Sequence, residues 1–235
     1  MVKKSPIGQS ALHNIHIDLG ASMFEYNGWN IPSHYTSPEE EFDQIQQYGG
    51  LSDISHYGKI IVHGNVEECI ANGLSQEIKT DIGTSITLNF TEDSEIAQLT
   101  LSKLASDEAL IISKPAQSHL VTQILNDSSE LCAHAIDISS TLTGLQLVGP
   151  LSEELLSSII EFDISSSNFI DLNCAQGSAA QIHATIIRKD IGHFPSYNIF
   201  VDRGYGAYMW DTLFDISQNY QVVPVGIQAI SLLSK

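Results

Sequence analysis

Apolar and polar positions along this chain switch between helical and strand periods in short blocks, separated by capping and turn residues. Leu12, Ile15 and Leu19 recur at helical spacing and predict a first helix over residues 10–19 that stops at Gly20. A short apolar stretch, Met23 to Tyr26, leads into a predicted loop, Asn27-Gly28-Trp29-Asn30-Ile31-Pro32. Ser37-Pro38-Glu39-Glu40 is a helix start: serine caps free amides, proline fits the first helical position, and Glu40 sits where a capping box puts its acid. That helix is expected to end near Tyr48, before Gly49-Gly50. Residues 58–62 read as a strand, Asn65 caps a further helix, and three strands follow over 85–90, 96–104 and 109–113. A helix over 115–125 and a buried strand over 131–138 complete this stretch, an order that suits an antiparallel sheet covered by helices on one side. The second half repeats the plan without repeating the sequence. Strands are expected at 142–148, 179–188, 197–201 and 221–225, with helices over 150–160 and 205–217.

Composition narrows the functions this α+β chain can have. Its 43% apolar and 16% charged content is that of a globular protein, and no apolar run approaches the roughly 20 residues that span a bilayer. With 28 acidic against 10 basic residues the net charge is −18, a surface that repels nucleic acid and anionic membranes. Only two arginines exist, Arg188 and Arg203. The N-terminal Met1 to Pro6 carries charge but no apolar segment follows it, so no secretory signal is expected. Cys69, Cys132 and Cys174 are far apart and in no zinc-binding spacing, and read as buried free thiols in a reducing, cytoplasmic setting.

The densest chemistry lies in residues 50–64, GLSDISHYGKIIVHG. Asp53, Ser55 and His56 are triad residue types, but three members this close in sequence rarely converge in space. A tight corner closed by side-chain to backbone hydrogen bonds is the expected role. The nine histidines include no HxH or HExxH pattern, and no glycine-rich phosphate loop is present, which leaves metal, P-loop and dinucleotide-binding readings without support.

The same segment resembles the G-L-F-D-V-S-H-M-G motif of the glycine cleavage system T protein (aminomethyltransferase) family. Ala11-Leu12-His13 with Gly20-Ala21-Ser22-Met23 resembles that family's opening helix, and Gly28-Trp29-Asn30-Ile31-Pro32 its G-W-x-M-P loop. Leu145 to Pro150 is similar to L-A-L-Q-G-P, and Ala207 to Gly226 to its A-x-x-W-D-x-L helix and P-x-G turn. The resemblance implies a two-domain α+β folate-binding fold of antiparallel sheets flanked by helices, without the family's C-terminal β-barrel domain. It implies a discontinuous first domain, residues 1–50 plus 139–235, around an inserted second domain, 51–138. It also implies tetrahydrofolate as cofactor, one-carbon metabolism as setting, and a protein partner or a separately supplied C-terminal domain.

Family chemistry uses a carboxylate to position the pterin and stabilise the charged reacting nitrogen. The aspartates of the family's G-G-x-x-D-D-L fall on Ala97 and Gln98, with Glu92, Asp93 and Glu95 nearby at an expected hairpin tip. The glutamate of R-T-G-Y-T-G-E falls on Phe194, while its arginine is kept as Arg188. R-D-x-L-R-x-E becomes residues 228–234 without arginine, and the tyrosine of Y-T-x-x-L-N has no counterpart. No catalytic residue is assigned, and Tyr57, Lys114 and Arg188 are the candidate ligand contacts: a stacking ring, a carboxylate partner and the retained arginine. Three functions follow: a tetrahydrofolate-dependent aminomethyltransferase, a divergent member that binds folate or a related small molecule without transfer, or an accessory subunit like the small folate-fold subunit of sarcosine oxidase. The substitutions favour the second and leave enzyme activity as an open alternative.

Overall fold

The computed structural model describes residues 7–92, 95–128 and 133–234. They form a mixed α+β structure of three sheets flanked by helices, divided into two compact units. The first comprises the chain through His56, Leu142–Asp171, and Gln176 onward; the second comprises Tyr57–Thr141 and Leu172–Ala175.

The first unit holds a small sheet and a large one. In the small sheet β3 (Trp29–His34) lies between β1 (Gly8–Gln9), to which it is parallel, and β2 (Ser22–Tyr26). The stretch expected to be a loop is therefore a hairpin. Asn27 and Gly28 take φ of 47° and 81°, the left-handed pair that a tight two-residue turn needs, and Trp29 to His34 return as a strand. The first helix, α1, is His13–Asp18, shorter than expected, and its inward face is Leu12 and His16 rather than the Leu12–Ile15–Leu19 stripe. Helix α2 (Pro38–Gln47) starts as its sequence predicts, with Ser37 Oγ accepting the Glu40 amide at 3.2 Å.

The large sheet runs in the order β11 (Cys174–Ala179), β12 (Ile182–Arg188), β13 (Ser196–Asp202), β10 (Leu142–Val148), β4 (Gly50–Asp53), β14 (Val223–Pro224). β12 with β13, β13 with β10 and β10 with β4 pair antiparallel, and β14 pairs parallel with β4. The single strand expected over 179–188 is two strands joined at Ala180-Gln181, with φ of 49° and 66°. The helix expected over 150–160 is limited to α5 (Ser152–Ser157). Helix α6 (Gly206–Ser217) buries Met209, Trp210 and Leu213, and a final helix, α7 (Ile227–Leu232), closes the unit. Ile45 of α2, Val148, Phe194, Val225 and Ala229 of α7 form one apolar cluster.

The second unit is an antiparallel five-stranded sheet in the order β6 (Ser85–Glu92), β7 (Glu95–Ala105), β8 (Glu108–Ser113), β5 (Gly58–Gly64), β9 (Ala133–Asp137). Alternate residues Ile60 and Val62, Leu99 and Leu101, Ala109 and Ile111, Ala133 and Ala135 pack on α3 (Val66–Leu74) and α4 (Ser118–Ser128). Cys69 is buried in this core, with its Sγ 3.9 Å from the Leu125 carbonyl oxygen, and Cys174 is also buried, whereas Cys132 lies outside the described residues. Among the described residues no helix is long and apolar enough to cross a membrane.

Gly226 is where the first unit tolerates no side chain. Its N–H donates to Glu41 Oε2 at 2.8 Å, and a Cβ there would overlap the Ser33 carbonyl and the His34 amide. The obstacle is backbone, which cannot rotate aside. Gly226→Ala is expected to lose stability at the upper end of the about 1–3 kcal/mol typical of overpacking, read from chemical denaturation; a loss under about 0.5 kcal/mol would contradict the placement.

Candidate functional site

Asp53 ends β4 on the sheet face that carries Leu51, Leu145 and Leu147. Its carboxylate accepts from the Ser55 amide at 2.8 Å and meets His16 Nε2 at 2.9 Å, with Ser10 as a further hydrogen-bond partner. Ser55 Oγ accepts the Gly144 amide at 3.1 Å, so the corner expected from the sequence is present and is tied to the sheet. The partner that the sequence does not reveal is His16, delivered from α1 across 37 positions. Its Nδ1 meets the Tyr35 hydroxyl at 2.8 Å, and its ring sits edge-on to Trp210 with centroids 4.9 Å apart.

Burial works against the Asp53 charge, but the His16 hydrogen bond and the polarity of that ring, with Ser10 and Ser55, hold the carboxyl well below the usual carboxylate range. Burial, reinforced by the charges of Asp53 and Glu41, pushes the Tyr35 hydroxyl far above its ordinary value. An ionised carboxylate only accepts, so the His16 Nε2 that faces Asp53 carries a proton and donates to it. The imidazole is thereby held between Asp53 and Tyr35. With His16 and Asp53 side chains 0% and 2% exposed, the chain of bonds offers no base to solvent; it anchors α1 to the sheet.

A second buried carboxylate, Glu41, caps backbone from two segments. Oε1 accepts the amides of Tyr35 and Thr36, the latter at 3.0 Å, and Oε2 accepts that of Gly226. Beside it opens a cavity of about 520 Å³ lined by Leu19, Tyr35, Thr36, Glu40, Glu41, Gln44, Phe214, Val223 and Pro224.

The opposite face of the large sheet is polar. Ser52, Gln146 and Asn198 lie side by side in register, and Gln146 Nε2 donates to Ser196 Oγ and Asn198 Oδ1 at 3.2 Å each. Gln146 Oε1 is buried and has no partner among the described residues, an acceptor available to a ligand's N–H.

Of the three candidate ligand contacts, two fall together. Gly58 pairs with Ser113, so the register puts Tyr57 and Lys114 at the same end of β5 and β8, the tyrosine half-buried and the lysine exposed. Arg188 belongs to the other unit. Its Nε and Nη2 grip Asp190 at 2.9 and 3.1 Å, Nη1 donates to the Phe169 carbonyl at 2.7 Å, and the guanidinium lies 5.6 Å over the Tyr197 ring. The Asp190 hydrogen bond raises the Arg188 pKa against the opposing effect of burial. Tyr197 is pushed up to about 12 by burial, against the pull of the Arg188 charge. Phe194 is a member of the apolar cluster with Ile45, Val148, Val225 and Ala229. Ala97 and Gln98 pair with Phe90 and Asn89 in the β6–β7 hairpin; Asp93 and the side chains of Glu92 and Glu95 lie outside the described residues.

These features belong to a recognisable family. The chain matches the GCVT N-terminal domain over residues 12–234 and belongs to that family. It is 24% identical to the aminomethyltransferases of Halothermothrix orenii and Geobacillus sp., each match taking in 97% of this chain and 63% and 62% of the relative. The chain thus spans less than two thirds of the length of these curated relatives. Among solved structures, the glycine cleavage system aminomethyltransferase T of Bartonella henselae superposes with a TM-score of 0.84 at 20% identity, over 97% of this chain and 62% of that one. A chain of heterotetrameric sarcosine oxidase from Corynebacterium sp. U-96 matches with a TM-score of 0.64 at 13% identity, over 91% of this chain and 96% of that one.

Asp53 sets an acid limit on stability. Its folded pKa is depressed, so its contribution is complete above about pH 5 and is lost progressively as pH falls from the unfolded value near 4 towards the much lower folded one. Asp53→Ala, which strands His16 without its partner, is expected to cost about 3–5 kcal/mol. Asp53→Asn is expected to flatten the acid limb of the denaturation midpoint plotted against pH; an unchanged limb would assign it to another carboxylate.

Proposed function

We propose that this chain is a divergent, aminomethyltransferase-like protein that binds a folate or related flat, acidic small molecule and has lost one-carbon transfer. The observation that carries this reading is Phe194. Where the family's glutamate anchors folate, this side chain is 8% exposed and packed among apolar neighbours, and it has no acceptor for a pterin N–H. The same direction is supported by Ala97 and Gln98 at the acid positions and by an Arg188 already engaged by Asp190 and the Phe169 carbonyl. Ligand binding is supported within the second unit by Tyr57 and Lys114 at one end of adjacent strands, where a ring stacks on the tyrosine and a carboxylate meets the lysine; within the first unit, separately, the buried Ser52–Gln146–Asn198 row offers a free acceptor. Tetrahydrofolate is the ligand class to try first.

A second reading has its own support. The match to a chain of heterotetrameric sarcosine oxidase takes in 96% of that chain, which supports a role beside a partner chain. In that role the fold serves a partner chain and the ligand site is secondary. Active transfer is the third alternative.

Calorimetric titration with tetrahydrofolate and 5-formyltetrahydrofolate, paired with an assay for aminomethyl transfer, separates the three. The proposal expects micromolar binding, no turnover, and a roughly five- to tenfold weakening in Tyr57→Ala. Turnover would overturn the loss of transfer, and silence at millimolar ligand would overturn folate recognition.

A further inference from the structure

The cavity beside Glu41 is not used by the reading above. Its walls divide by chemistry: Leu19, Phe214, Val223 and Pro224 are apolar, Tyr35 adds an aromatic ring, and Glu40, Glu41, Gln44 and Thr36 supply the polar groups. At about 520 Å³ it falls within the range of small-molecule sites, and the mixture of apolar walls with a few placed polar groups is typical of them. Among the described residues, no lysine, arginine or histidine lines it.

Glu41 is the informative wall. It is 2% exposed, and its carboxylate accepts three backbone amides. An ionised carboxylate has about four acceptor positions, so one remains, on Oε2, which holds only the Gly226 amide. The three amides contribute dipoles but no counter-charge, and the second carboxylate at this cavity, Glu40, is exposed at its rim. A buried anion, a second anion at the opening, two aromatic rings and a chain of net charge −18 all favour a cation.

We propose that this cavity binds an organic ammonium with an apolar body, the N–H donating to Glu41 Oε2, the charge balanced by Glu41 and Glu40, and the body lying against Leu19, Phe214, Val223 and Pro224. Selectivity comes from two exclusions. An anion meets two carboxylates, and an inorganic cation leaves the apolar walls unfilled. Tyr35 is fixed by His16 on one side of the cavity, so its ring is a pre-set wall with little ordering cost on binding.

The test compares three probes of one shape, 2-phenylethylammonium, 2-phenylethanol and 3-phenylpropionate, by ligand-observed and protein NMR titration of the intact chain. The ammonium is expected to bind in the millimolar range or tighter, about tenfold better than the alcohol, and the carboxylate not to bind. Glu40→Gln, at an exposed position that leaves folding intact, is expected to weaken ammonium binding about two- to fivefold and leave the alcohol unaffected. Leu19→Trp, which fills the opening, is expected to abolish binding of both. Saturating tetrahydrofolate is expected to leave the ammonium affinity unchanged, which keeps this result separate from that of the folate titration. Equal affinity for ammonium and alcohol, indifference to both variants, or no binding of the ammonium would each overturn the proposal.

Discussion

The hydrogen bond between Asp53 and His16 is the constraint on which the first unit depends. One carboxylate closes the corner after β4, binds α1 through His16 and, through the same imidazole, orients Tyr35. A charge this deep is tolerable only because every partner is in place. Glu41 follows the same rule with backbone amides, gathering the segment before α2 and the turn before α7. Two buried acids thus hold secondary structure together.

Buried acids of this kind hold the fold together independently of any chemistry at a ligand site. The fold rests on buried anchors and on apolar clusters such as Ile45, Val148, Phe194, Val225 and Ala229. In the proposed reading, substitutions at the ligand site leave these anchors untouched. Phe194 adds its side chain to the apolar cluster, and in the proposed reading it does so where the family places an acceptor.

Much of this architecture is legible in the sequence because local chemistry and tertiary demand agree. Ser37-Pro38 starts a helix by capping alone, and the strand over Leu142–Val148 is read from its composition. The misreadings share a cause. Asn27-Gly28 is a hairpin turn hidden by the Trp-Asn-Ile-Pro that follows it, and Ala180-Gln181 forms a two-residue turn in left-handed conformations that neither residue advertises. His16 occupies the inward position of a helix whose apolar stripe points elsewhere, because its partner, Asp53, lies far along the chain. The Glu41 cavity is built from α1, α2, α6 and β14 together, a convergence that no local window contains. Tyr57 and Lys114 share a strand end through the β5–β8 register, and the sequence alone cannot supply that register.

The central claim is that position 194 serves the core where the family serves a ligand. Phe194→Glu tests it most directly, by urea denaturation at neutral pH with and without tetrahydrofolate. A carboxylate placed among Ile45, Val148, Val225 and Ala229 has no partner there, so the account predicts a loss of several kcal/mol that tetrahydrofolate does not restore. Unchanged stability, with tighter folate binding in the variant than in the parent, would contradict it.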